Sequence, residues 1–231
     1  MFRFVTAPRW FYGYDVAIDL ISIAVTLLIA VYAFKLSRYT GDKRHKYFSY
    51  SFFLIAASFL LKSLSNQYVP DEAIVGQIVW AISVSIPTLK IPSFFTSTYL
   101  GYRFFTLLGL AGIYSIVHRV KRSEIWLSLY LVFLVTLISM ATYLLFYATA
   151  ALFLLMITLY YYKNCAKVKT PQSKLVFVSF AVIMVGQLLF LGISYKGVLY
   201  AVAQVFQLFG YLILLSSYLG LVVKDGKANK N

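Results

Sequence analysis

Acidic side chains are scarce: seven Asp and Glu stand against 21 Lys and Arg in 231 residues, and charged residues of both signs make up only 12%. Soluble domains carry about 25% charged residues, so a chain this poor in charge and 61% apolar belongs in a membrane. Histidine is rarer still. His45 and His118 are the only two, whereas a membrane metallohydrolase brings several His and acidic ligands to one cavity. A single cysteine, Cys165, excludes an intrachain disulfide. No phosphate loop, metal motif or nucleophile elbow occurs, which leaves an enzyme or a bound cofactor without candidate residues. The last apolar run, 198–223, has no lysine for a retinal Schiff base, and no internal repeat supports an inverted duplication of the kind that builds large transporters.

What the chain does have is apolar length. Residues 14–36 and 47–64 are each close to the roughly 20 residues that cross a bilayer core, and the turn 37–46 between them carries Arg38, Lys43, Arg44 and Lys46 against Asp42 alone. By the positive-inside rule this hairpin has its tip in the cytoplasm. Further apolar runs at 99–117, 125–139, 142–162, 175–193 and 198–223 complete an all-α bundle of seven transmembrane helices, a single domain with the amino terminus outside and the carboxyl terminus cytoplasmic. The run 125–162 holds no Gly or Pro and is divided by an expected outer turn near 139–142. Ser123 is the expected N-cap of the fourth span. Counted this way, fifteen of the 21 Lys and Arg fall on the cytoplasmic side.

The segment 73–86 could be an eighth span, but every later basic cluster would then lie outside. It reads instead as part of an outer cap over 66–98, helical, re-entrant or strand-like. Twenty Tyr and twenty Phe gather near segment ends, as interfacial anchors do; Trp10, Phe11, Tyr12 and Tyr14 are examples.

Ionisable groups inside spans are functional candidates by default. Asp15 and Asp19 share one face of the first span, Asp15 at the interface and Asp19 about 9 Å deep at 1.5 Å per residue. Lys62, Arg103, Gln187, Gln204 and Gln207 lie in the same outer layer of their helices. Together with Asp19 they could line an outward-facing pocket, with Asp19 paired to Lys62 or Arg103 or holding a cationic ligand. Structural hydrogen bonds between helices and snorkelling cations are the competing explanation. Deeper polar residues are mainly Ser22, Thr26, Thr158 and Ser179, which make no charged relay.

The run 39–66, YTGDKRHKYFSYSFFLIAASFLLKSLSN, resembles the first cytoplasmic loop and second helix of small uncharacterised archaeal seven-helix membrane proteins. That likeness covers about an eighth of the chain and implies topology without an activity. The expected function is a receptor-like sensor or accessory subunit in the cell membrane, with a small-solute or ion transporter as the alternative. Its expected partners are the bilayer, anionic lipids at the cytoplasmic loops and a separate cytoplasmic or membrane protein. The positive charge is scattered in short clusters, so nucleic acid is not expected.

Overall fold

Turn chemistry decides where the apolar runs break. The computed structural model describes residues 8–11, 13–67, 90–139, 142–193 and 195–228. After a 3₁₀ turn, Arg9–Phe11, α1 spans Tyr14–Thr40 and stops at Gly41, whose left-handed backbone (φ 69°) lets its N–H reach the Ser37 carbonyl. Asp42 Oδ1 then accepts the Arg44 N–H at 2.9 Å, and α2 runs over Lys43–Gln67. Helix α3 is Lys90–His118, α4 Arg122–Ile138, α5 Tyr143–Val168, α6 Pro171–Leu191 and α7 Val198–Ala228. Lys169 (φ 50°) closes α5, and Thr170 caps α6 by accepting the Ser173 N–H, with Pro171 at the first helical position.

Two expectations are revised. The connection 66–98 does not run its full length as a cap, because α3 is already helical from Lys90; Pro92 falls in its first turn, where a missing N–H costs nothing. The segment 73–86 lies outside the described residues. Ser123 is inside α4 rather than at its N-cap, a position taken by Lys121, because the chain leaves α3 through a left-handed Arg119 (φ 51°) and reaches extended geometry at Lys121. Glu124 does sit in the first turn, where it suits the helix dipole.

Among the described residues there are seven α-helices, and six are long and apolar enough to cross a membrane. The exception is α4: its 17 residues rise about 25 Å, against a hydrocarbon core of roughly 30 Å. The six long helices close into a ring, α1 on α2, α2 on α3, α3 on α5, α5 on α6, α6 on α7 and α7 back on α1. Helix α4 stands outside the ring, against α3 and more lightly against α5.

Each ring helix turns a stripe spaced three and four residues apart toward the interior, the spacing of left-handed bundles. On α1 the stripe is Asp15, Asp19, Ser22, Thr26, Ile29 and Ala33, and on α7 it is Tyr200, Gln204, Gln207, Tyr211, Leu214 and Tyr218, all buried. The opposite faces carry exposed Leu20, Leu27, Val31, Phe209 and Leu212, as suits contact with lipid. Where α6 meets α7, a Cβ at Gly210 would lie 2.4 Å from Ile183 Cγ1 and 3.0 Å from the Ser179 carbonyl oxygen, so only glycine permits that approach. Across the ring, Phe59 and Phe48 of α2 meet Tyr211 and Tyr218 of α7 at centroid distances of 5.7 and 5.5 Å.

Candidate functional site

The buried charge gathers at one end of the ring, where α2 ends and α1 and α7 begin. Asp15, Asp19, Lys62 and Arg103 are exposed by only 1%, 0%, 6% and 1%, and a charge so placed must be paired or hydrogen-bonded. Lys62 Nζ donates to Asp19 Oδ1 at 2.7 Å and lies 5.9 Å from the ring centroids of Phe59 and Tyr200. Of the two partners expected for Asp19, Lys62 is the one the structure brings to it. Asp15 is not left at a wet interface: its Oδ1 accepts the N–H groups of Gly13 and Val16 at 3.1 and 2.8 Å, holding the first turn of α1.

Arg103 lives in a different environment. Its Nη2 donates to the Tyr99 hydroxyl at 2.7 Å and its Nη1 to the carbonyl oxygen of Ser139, the last residue of the α4 terminus. The guanidinium carbon sits 4.2 Å from the Tyr99 ring centroid and 5.5 Å from that of Phe146, a cation–π arrangement. Nε has no hydrogen-bond partner, and among the described residues no carboxylate pairs with this guanidinium.

The glutamines divide. Gln204 Nε2 donates to the Tyr200 hydroxyl at 2.8 Å, and Gln207 is buried one turn further along the same stripe of α7. Gln187 on α6 is buried with its Oε1 unpartnered. Free polar capacity therefore remains at Arg103 Nε and Gln187 Oε1.

Tyrosines join these groups, and the sequence reading as membrane anchors missed them. Tyr102 and Tyr147 both pack against the Phe146 ring, at 5.4 and 4.9 Å; the Tyr147 ring stacks on Phe190 at 4.8 Å, and Phe190 meets Tyr200 at 5.7 Å. Phe11, also expected at the interface, is buried with its ring 6.3 Å from Tyr200. The signal was present as four-residue spacing: Tyr99 to Arg103, Tyr143 to Tyr147 and Tyr200 to Gln204 each share a helix face.

Beneath this cluster several hydroxyls are spent within their own helices, whereas Ser49 donates across to the Ala30 carbonyl of α1 at 2.7 Å and Thr158 Oγ1 has no partner. Thr26 donates to the Ser22 carbonyl, Thr106 to Tyr102, Ser58 to Ile55 and Ser179 to Val176, at 2.6 to 2.8 Å. Deeper still, Ile29, Phe52, Leu107, Leu154, Ile157 and Leu214 fill the interior. The arrangement can hold a charged or polar group at one end, and among the described residues no group of three or more His, Cys, Asp and Glu could bind a metal ion. Compared with protein-family models, curated proteins and solved structures, the chain matches none.

Proposed function

We propose that the protein is a receptor-like sensor, or an accessory subunit of a complex in the cell membrane, that takes up an anionic group at Arg103. In this reading α4 counts as a seventh span, the amino terminus and the Arg103 end face outward, and the basic turns and carboxyl terminus face the cytoplasm. The charge asymmetry of the turns supports that orientation. The observation that carries the reading is a buried guanidinium with an unpartnered Nε and, among the described residues, no carboxylate beside it, when the other deep cation, Lys62, is already matched by Asp19. A carboxylate or phosphate arriving at Arg103 would supply the missing counter-charge. Binding at Asp19 is disfavoured because its carboxylate is engaged.

Arg103 also supplies a route for output. Its Nη1 holds the final carbonyl of α4, the helix least tied to the ring, so an anion that draws the guanidinium away loosens that grip. The short basic turns leave no room for an effector domain between the helices. The apolar plug of Ile29, Phe52, Leu107, Leu154, Ile157 and Leu214 beneath the cluster favours this reading over passage of a solute.

The test uses the purified full chain in lipid nanodiscs, with millimolar short-chain carboxylates and phosphomonoesters as probes. A ligand at a hundred times its Kd adds about 2.7 kcal/mol of stability, so one class should raise the melting temperature of the wild type and leave Arg103→Gln unmoved. A wild type indifferent to every probe, or an Arg103→Gln variant that responds equally, refutes the reading. Uptake of the same anion into proteoliposomes, lost in Arg103→Gln, would instead establish a transporter.

A further inference from the structure

At the opposite end of the bundle a crevice of about 470 Å³ opens sideways between the start of α2, the end of α3 and the start of α4. It lies where α2 and α4 both pack on α3. Its floor is thin. At Gly112 the Ser51 side chain of α2 sits against α3 so closely that a Cβ would lie 2.4 Å from Ser51 Oγ, and Ala111 continues this small-residue strip. Tyr47, Tyr50 and Leu54 form one wall, and Ile125 and Leu129 the other. The hydroxyls of Ser51 and Ser115 also face it, but they donate to the Tyr47 and Ala111 carbonyls at 3.2 and 2.7 Å. The crevice thus offers carbon, two spent hydroxyls and, on the α4 wall, the single hydroxyl of Ser128.

Its mouth has the opposite chemistry. Tyr47 and Tyr50 begin directly after Lys43, Arg44 and Lys46, and Ile125 lies one helical turn beyond Lys121. Lys46 Nζ sits 6.0 Å from the Tyr50 ring centroid, so one ammonium is already poised over a wall residue. Lys43, Arg44, Lys46, Arg119 and Lys121 are all exposed there. Of the nearby acids, Asp42 is engaged in capping at Arg44 and Glu124 lies in the first turn of α4.

An apolar slot within the depth of the bilayer, open to the side and rimmed by cations at headgroup level, matches an amphiphile with a hydrocarbon tail and an anionic head. We infer that this crevice is a binding site for one anionic phospholipid of the leaflet on that side: an acyl chain lies along Ala111 and Gly112, and the phosphate meets Lys46 and Lys121. The site stands apart from the Arg103 cluster, at the other end of the helices. A peptide segment could fill the slot sterically. The bilayer, however, already presents the required tail and head at that depth, and it supplies them without an exposed backbone whose run of polar groups the one serine hydroxyl of α4 could not satisfy.

Native mass spectrometry of the full chain tests this. The protein is taken from nanodiscs holding equal phosphatidylglycerol and phosphatidylcholine of identical acyl chains. Wild type should retain one phosphatidylglycerol, with a preference of roughly fivefold for each basic residue engaged. Lys46→Gln with Lys121→Gln changes only exposed positions and should abolish the preference. Ser128→Phe, which fills the crevice from α4, should remove the retained lipid altogether. Equal retention of both lipids by wild type, a preference that survives the double neutralisation, or a retained non-lipid mass in the crevice overturns the inference.

Discussion

Replacing Asp19 by asparagine keeps the shape of the side chain and removes the charge that balances Lys62. The pair is fully buried, with Lys62 Nζ 2.7 Å from Asp19 Oδ1, and truncating one partner of a buried ion pair costs about 3–5 kcal/mol because the other charge is left uncompensated. Asparagine can still accept a hydrogen bond from Lys62, and the Phe59 and Tyr200 rings lie 5.9 Å from the ammonium. The expected loss is therefore near the lower limit, about 3 kcal/mol. A hydrogen bond between membrane helices averages only about 0.6 kcal/mol, so the magnitude separates a charge effect from a lost hydrogen bond.

The assay is reversible unfolding of the purified chain in mixed micelles, with Asp19→Asn, Lys62→Met and their combination completing a cycle. The double variant should recover much of the loss, giving a coupling of about 2 kcal/mol, within the range for groups in direct contact. Strictly additive single effects, or an Asp19→Asn variant within about 0.5 kcal/mol of wild type, the level of an ordinary surface substitution, would refute the argument that the two charges sustain each other.

Gly210→Ala should lower stability by about 1–3 kcal/mol through overpacking against Ile183 and the Ser179 carbonyl. Gly220→Ala, with nothing within 4 Å of the added carbon, should be neutral or gain up to about 1 kcal/mol of helix propensity; equal effects at the two sites would contradict the packing account. Arg103→Met should speed amide exchange in the last turn of α4, where Ser139 loses its side-chain cap, while the ring helices stay protected; an unchanged last turn would mean that the cap contributes nothing. With Cys165 first changed to serine, an impermeant thiol reagent applied to sealed cells should label a cysteine at Lys196 and miss cysteines at Gly41 and Gly226. Labelling at Gly226 would reverse the proposed orientation.

Helix existence was legible in the sequence because length and apolarity alone set it, and the break in 125–162 falls where helix α4 ends at Ile138 and α5 begins at Tyr143. Boundaries drawn from hydropathy stopped short wherever polar residues continue a helix past its apolar core. Thus α5 runs on through Lys163 and Lys167 to Val168, and α3 already includes Lys90 and Pro92. The candidate site was half legible. A charge in an apolar run is conspicuous, so Asp19, Lys62 and Arg103 stand out one by one, but which carboxylate meets which cation depends on helix rotation and order around a ring. Hydropathy contains neither. Tyrosine defeats the same reasoning for a different reason: its ring and hydroxyl suit an interface and a buried hydrogen bond equally well. What separates the two uses is register. Tyr200 recurs with Gln204, Gln207 and Tyr211 at four, three and four residues, and is buried. Tyr195 stands outside that register and is almost fully exposed. Spacing against a known polar neighbour, rather than nearness to a segment end, is the property that marks a tyrosine as part of the site.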